Sequence, residues 1–152
     1  MPTIYSYQKY TDSQISRTLR LPEDSVTLIP IGTELATIDG ITYVSIPDGV
    51  VLPADQPTEI SASIQVVILS DAQKSAIKAI SPHVALINAR VIERVRDKYS
   101  IEDELKFARI GIGAALGIYA FQTGEQAELT AFGDFVQQWR TWGRNEKAKL
   151  GL

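Results

Sequence analysis

The distribution of apolar side chains changes character near Ser70. Before that point they come in short runs punctuated by Gly, Pro and Asp; after it they recur at intervals of three and four, and no proline follows Pro82. Alternation with a period of two sends successive side chains to opposite faces of a strand, whereas intervals of three and four keep them on one face of a helix. The pattern predicts an α+β chain. A small β-rich part occupies residues 1–69, a helical neck 70–98, and a C-terminal helical hairpin 99–152.

In the first part the strongest signal is a hairpin. Leu35 to Ile38 and Ile41 to Ile46 flank Asp39-Gly40, a pair that supplies the positive φ angles of a tight type I′ turn. In the return strand Ile41, Tyr43 and Ser45 point one way and Thr42, Val44 and Ile46 the other, so neither face is cleanly polar and both are expected to be covered. Val26 to Ile31 and Ile60 to Leu69 read as further strands, Pro47-Asp48-Gly49 as a turn, and Pro53 and Pro57 as the brackets of an extended connector. Residues 1–24 are polar; Ser13 to Leu21 fits a short helix or an arm ended by Pro22.

In the second part, Ser70-Asp71 opens a helix through Ile80 and Ser81-Pro82 restarts it, because serine caps helices and proline suits their first turn. Ile77, Ile80, Val84, Ile87 and Val91 fall at spacings of three, four, three and four, the a/d pattern of a coiled coil, and isoleucine at both core positions favours three or more strands. The same residues also fit an intrachain core helix, with Leu86 and Ile92 widening the apolar face. Ser100 caps the next helix, where Ile101, Leu105, Ala108 and Ile112 repeat at helical spacing and Gly111, Gly113 and Gly117 weaken its end. After the turn Gln122-Thr123-Gly124, a final helix is expected from Glu125 to Trp142, with Leu129, Phe132, Phe135, Val136 and Trp139 on one face. The tail beyond it, ending in Leu150 and Leu152, is either a solvated helical extension or a docking segment.

Composition narrows the functional classes. A chain of 152 residues can build a core without a metal or a disulfide. The net charge of −3 comes with no stripe of Lys or Arg, so nucleic acid is not an expected partner. Phe107 to Phe121 is the longest nearly apolar stretch, but it contains Arg109 and falls short of the roughly 20 residues that span a bilayer. Membrane insertion is not expected, and the opening residues lack the basic and apolar regions of a secretory signal. With no cysteine and one histidine, thiolate nucleophiles and catalytic triads are not available. Three copies of His83 meeting on a trimer axis would be the one route to a histidine metal site; a polar surface histidine is the simpler reading.

The remaining chemistry-bearing groups have ordinary explanations. Glu102-Asp103-Glu104 lies where carboxylates favour a helix N-terminus, and Asp39-Gly40 and Asp48-Gly49 are turns without the ligand spacing of a calcium loop. Gly111-Ile112-Gly113 has Leu116 where a dinucleotide fingerprint needs glycine. Trp139 and Trp142 belong to an aromatic helix face suited to packing or docking, together with Leu150 and Leu152. The expectation is a protein that is not an enzyme and carries no cofactor or metal.

Two segments carry a resemblance: Arg96-Asp97-Lys98-Tyr99-Ser100-Ile101-Glu102-Asp103-Glu104-Leu105 and Trp142-Gly143-Arg144-Asn145-Glu146-Lys147-Ala148-Lys149-Leu150-Gly151-Leu152. Over its last third to half the chain resembles small structural proteins encoded among the tail genes of tailed bacteriophages, from tail fibres or baseplates. The Gly111 to Gly117 stretch departs from that pattern. The resemblance implies a virion component of the phage tail, made in the bacterial host cytoplasm. It also implies a homotrimer, held by Ile77, Ile80, Val84, Ile87 and Val91 and meeting other tail or baseplate proteins or a host surface receptor. A tail-fibre assembly chaperone absent from the finished particle is the alternative.

Overall fold

A computed structural model describes residues 1–152 and has the expected α+β class, with an antiparallel sheet in the N-terminal part and helices in the C-terminal part. The strands are β1 (Thr3–Gln8), β2 (Tyr10–Thr11), β3 (Ser16–Arg17), β4 (Thr33–Ile38), β5 (Ile41–Ile46) and β6 (Gln65–Val66). The helices are α1 (Thr58–Ser61), α2 (Asp71–Ile80), α3 (Pro82–Arg96), α4 (Ile101–Ala115) and α5 (Glu125–Lys149). The chain divides into two compact units, Met1–Leu86 together with Glu146–Leu152, and Ile87–Asn145. This division differs from boundaries at 69/70 and 98/99, because α2 and the last residues both belong with the sheet.

The sheet unit is built on four strands in the order β4-β5-β1-β6. The hairpin forms as read: β4 and β5 are antiparallel neighbours, and Asp39 and Gly40 take φ of 49° and 77°. From Thr42 to Ile46 every residue of β5 is buried, since both faces of the sheet are covered. On one face Ile4, Leu35, Ala36, Tyr43, Leu69 and Ile77 form a core completed by Leu150 and Leu152. On the other, Tyr7, Leu19, Val44, Ile46 and Ile60 form a second core.

Four expectations for this unit are corrected. β1, in the stretch read only as polar, pairs with β5 from Thr3↔Ile46 to Gln8↔Ile41 and lies inside the sheet. Val26 to Ile31 is no strand. The Asp24 carboxylate accepts hydrogen bonds from the backbone amides of Val26 and Thr27, Leu28 turns left-handed at φ 56°, and a single bridge, Glu23↔Pro30, remains. A side chain that satisfies local amides competes with ladder pairing in this way. Ile60 to Leu69 is likewise broken: α1 places Ile60 fully in the second core, and only Gln65 and Val66 pair with β1. Ser13 to Leu21 is neither helix nor free arm, since β2 and β3 pair and Leu19 is buried. Its end is held to the connector by Arg20 and the Gln56 side chain, which bond in both directions, and by the Arg20–Asp55 ion pair.

The helix starts follow local rules. Ser70 and Gln73 make a reciprocal capping box on α2, and Ser100 and Asp103 do so on α4. Ser81 has an extended backbone, φ −66° and ψ 123°, which separates α2 from α3. Its hydroxyl is buried without a partner, so the serine cap expected there is not made. Helix α4 ends on Gly117 at φ 72°, with Ile118 N donating to Gly113 O and Gly117 N to Ala114 O. Helix α5 runs beyond Trp142 to Lys149 and ends in the same way on Gly151 at φ 82°, with Leu152 N donating to Lys147 O and Gly151 N to Ala148 O. Both are Schellman closures, which glycine permits by adopting positive φ. The second delivers Leu150 and Leu152 to the sheet core.

Candidate functional site

The helical unit, Ile87–Asn145, is organised by aromatic contacts. Tyr99 sits edge-on to Phe107, Phe132 and Phe135, with ring centroids 6.0, 5.1 and 5.7 Å away. Phe107 stacks on Phe132 at 4.9 Å, and the line continues through Phe135 and Trp139 to Trp142 at 6.4 and 5.7 Å. Lys98 lies 4.4 Å from the Phe135 ring centre and Arg94 lies 5.7 Å from that of Trp139, so cations in the last turn of α3 and just after it cover the π faces of α5. Trp139 and Trp142, named in the sequence as docking or packing residues, are thus half-buried packing residues. The indole nitrogen of Trp139 is enclosed without an acceptor.

The helix hairpin is antiparallel, with the joining turn fixed by one carboxylate. Glu125 accepts hydrogen bonds of 2.8 Å from both the Tyr119 hydroxyl and the Gln122 amide. These donors, the amide first, hold the Glu125 carboxyl below its usual range; accepting by Glu125 pushes the Tyr119 phenol up. Gly113 lets the turn fold back: a Cβ there would lie 2.8 Å from Cβ of Tyr119. Asp103 is likewise lowered, first by the Ser100 hydroxyl it accepts from. These titratable groups serve turns and caps, and no three His, Cys, Asp or Glu side chains stand close enough to share a metal ion.

Between α3 and α5 the unit has an open groove of about 440 Å³. Val91, Val95, Phe132 and Val136 line its floor, and Arg96, Glu104 and Arg140 stand at its rim. Gly143 marks the close approach of the two helices, since a Cβ there would come within 2.9 Å of Cγ2 of Val91.

The five residues read as an oligomer seam do not share one exposed face of the chain. Ile77 has no exposed surface and belongs to the sheet core, and Val84 is also buried, while Ile80 is 56% exposed. The physical reason is the break at Ser81: the interval from Ile80 to Val84 crosses an extended residue, so positions on α2 and α3 do not continue one helical stripe. Ile87 and Val91 are partly buried, next to Gly143. Leu150 and Leu152, the other candidate docking residues, pack in the sheet unit.

Other large apolar residues are exposed. Leu86 and Ile92 on α3, Ile101, Leu105 and Ile112 on α4, and Leu116, Ile118 and Phe121 after it are all exposed. The spacing of Ile101, Leu105, Ala108 and Ile112 is legible in the sequence, but periodicity identifies an apolar face without saying whether the same chain covers it. No helix is long and apolar enough to cross a membrane. Comparison of the chain with protein-family models, curated proteins and solved structures finds no match.

Proposed function

We propose that this protein is a non-enzymatic structural component of a bacteriophage tail fibre or baseplate, which associates with itself and joins virion parts for host attachment. The observation that carries the reading is the set of exposed apolar residues Ile101, Leu105, Ile112, Leu116, Ile118 and Phe121 on a unit held together by its own aromatic line. Several large apolar side chains left exposed along one helix and the segment after it are the kind of surface used for protein association. The resemblance of Arg96–Leu105 and Trp142–Leu152 to small tail proteins supplies the setting, the virion, with synthesis in the host cytoplasm. Those two segments form the capped start of α4, which carries part of that surface, and the end of α5 with its closure.

A trimer through Ile77 and Val84 would have to draw both from buried positions, so self-association falls to the helical unit's exposed residues. Mass spectrometry of purified virions of the phage that encodes the chain tests the reading. The protein is expected in intact particles, in fixed ratio to the tail proteins. Its presence in infected cells but absence from particles would overturn the proposal and favour a chaperone.

A further inference from the structure

One face of the helical unit is left exposed, and what it implies deepens the assembly reading and rests on it. Along α4, Ile101, Leu105, Ala108 and Ile112 recur at intervals of four, three and four and all are exposed, the three large ones at 55%, 52% and 61%. Phe107, Ile110 and Gly113, on the opposite face, are buried. The helix therefore has one face satisfied within the chain and another, about three turns long, that is not.

The charges beside this stripe divide in the same way. Asp103 closes the capping box, and Lys106 pairs with Glu128 at 3.4 Å. Glu104 stands at the groove rim. Glu102 and Arg109 are exposed and take part in none of the chain's ion pairs. Seven residues apart, they lie on the same flank of the stripe, each directly following one of its members, Ile101 and Ala108.

We propose that α4 pairs with α4 of a second copy of this chain, antiparallel about a two-fold axis. With Leu105 and Ile112 as a positions and Ile101 and Ala108 as d positions, antiparallel pairing sets Ile101 against Ile112 of the second copy and Leu105 against its Ala108. A large side chain meets a small one in the central layers. Glu102 and Arg109 are then both e positions facing each other across the pair, and the symmetry makes the contact twice. A parallel pair would stack Ala108 on Ala108 and leave Glu102 without its basic partner. The contact is smaller than a standard stable interface, so a concentration-dependent dimer is expected.

Sedimentation of the full chain over a range of concentrations tests the pairing through two charge reversals. Glu102→Arg and Arg109→Glu are each expected to weaken the dimer about tenfold, because each places like charges together at both symmetric contacts. Mixing the two variants should restore association as a mixed dimer to within about threefold, since every 102–109 contact is then of opposite sign. Leu105→Glu, at a position exposed in the single chain, should keep the circular dichroism spectrum and lose the dimer. A wild-type chain that stays monomeric, or variants whose mixture is no tighter than either alone, would overturn the α4 pairing. Self-association that neither reversal changes would also overturn it while leaving the assembly reading intact, as that reading is tested by the contents of the virion.

Discussion

Two glycines ten residues apart on α5 show how one substitution reverses its effect with its surroundings. A Cβ added at Gly133 meets nothing within 4 Å, so Gly133→Ala is expected to stabilise the helical unit by up to about 1 kcal/mol, the cost of glycine in a helix. At Gly143 the same gain is opposed by contact at 2.9 Å with Cγ2 of Val91, a β-branched side chain that cannot turn away without leaving its preferred χ1 rotamer. Gly143→Ala is expected to be destabilising by about 1 kcal/mol net, and urea unfolding followed by tryptophan fluorescence of the two variants measures both signs. At this scale the sequence is partly informative. It shows a glycine inside a helical pattern, but the neighbour that makes glycine necessary, Val91, lies far off in the chain.

Helix boundaries were readable where the device that makes them is local. Ser70 and Ser100 cap as their sequences indicate, and Asp39-Gly40 turns the hairpin, because each needs only residues within three or four positions. Ser81 has the same sequence credentials but its hydroxyl finds no amide. Ser70→Ala and Ser100→Ala should each cost about 1 kcal/mol. Ser81→Ala should be neutral or mildly stabilising, since it removes a buried hydroxyl that nothing satisfies, and thermal unfolding of the three variants separates the cases. What stayed illegible depended on distant partners. β1 is a central strand through its pairing with β5 and β6, and its tyrosines and serine hide the alternation that would announce it. The Ile77–Val91 spacing satisfied a coiled-coil pattern although an extended residue interrupts it. For the candidate surface, the α4 stripe was visible as a pattern, while its exposure depends on which of two apolar faces the rest of the unit covers.

For the molecule as a whole, the path of the chain matters more than its composition, because Glu146–Leu152 belongs to the same compact unit as Met1–Leu86. Leu150 and Leu152 pack on the core that contains Ile4, and a Cβ at Gly151 would meet Cδ1 of Ile4 at 2.8 Å. Replacing both leucines by alanine is expected to destabilise the sheet unit by about 2–4 kcal/mol, as removal of partly buried side chains leaves apolar surface uncovered. Amide exchange at Ile4 and Tyr43 should accelerate correspondingly; unchanged protection there would show that the terminal leucines contribute nothing to this core. The Schellman closure on Gly151 also bears on synthesis. During translation β1 emerges from the ribosome on the order of ten seconds before Leu150 and Leu152 exist. Until then one flank of the nascent sheet lacks its final cover, giving bound chaperones or premature neighbours an interval in which to meet Ile4 and Leu69, and that interval closes only when the last turn of α5 has been made.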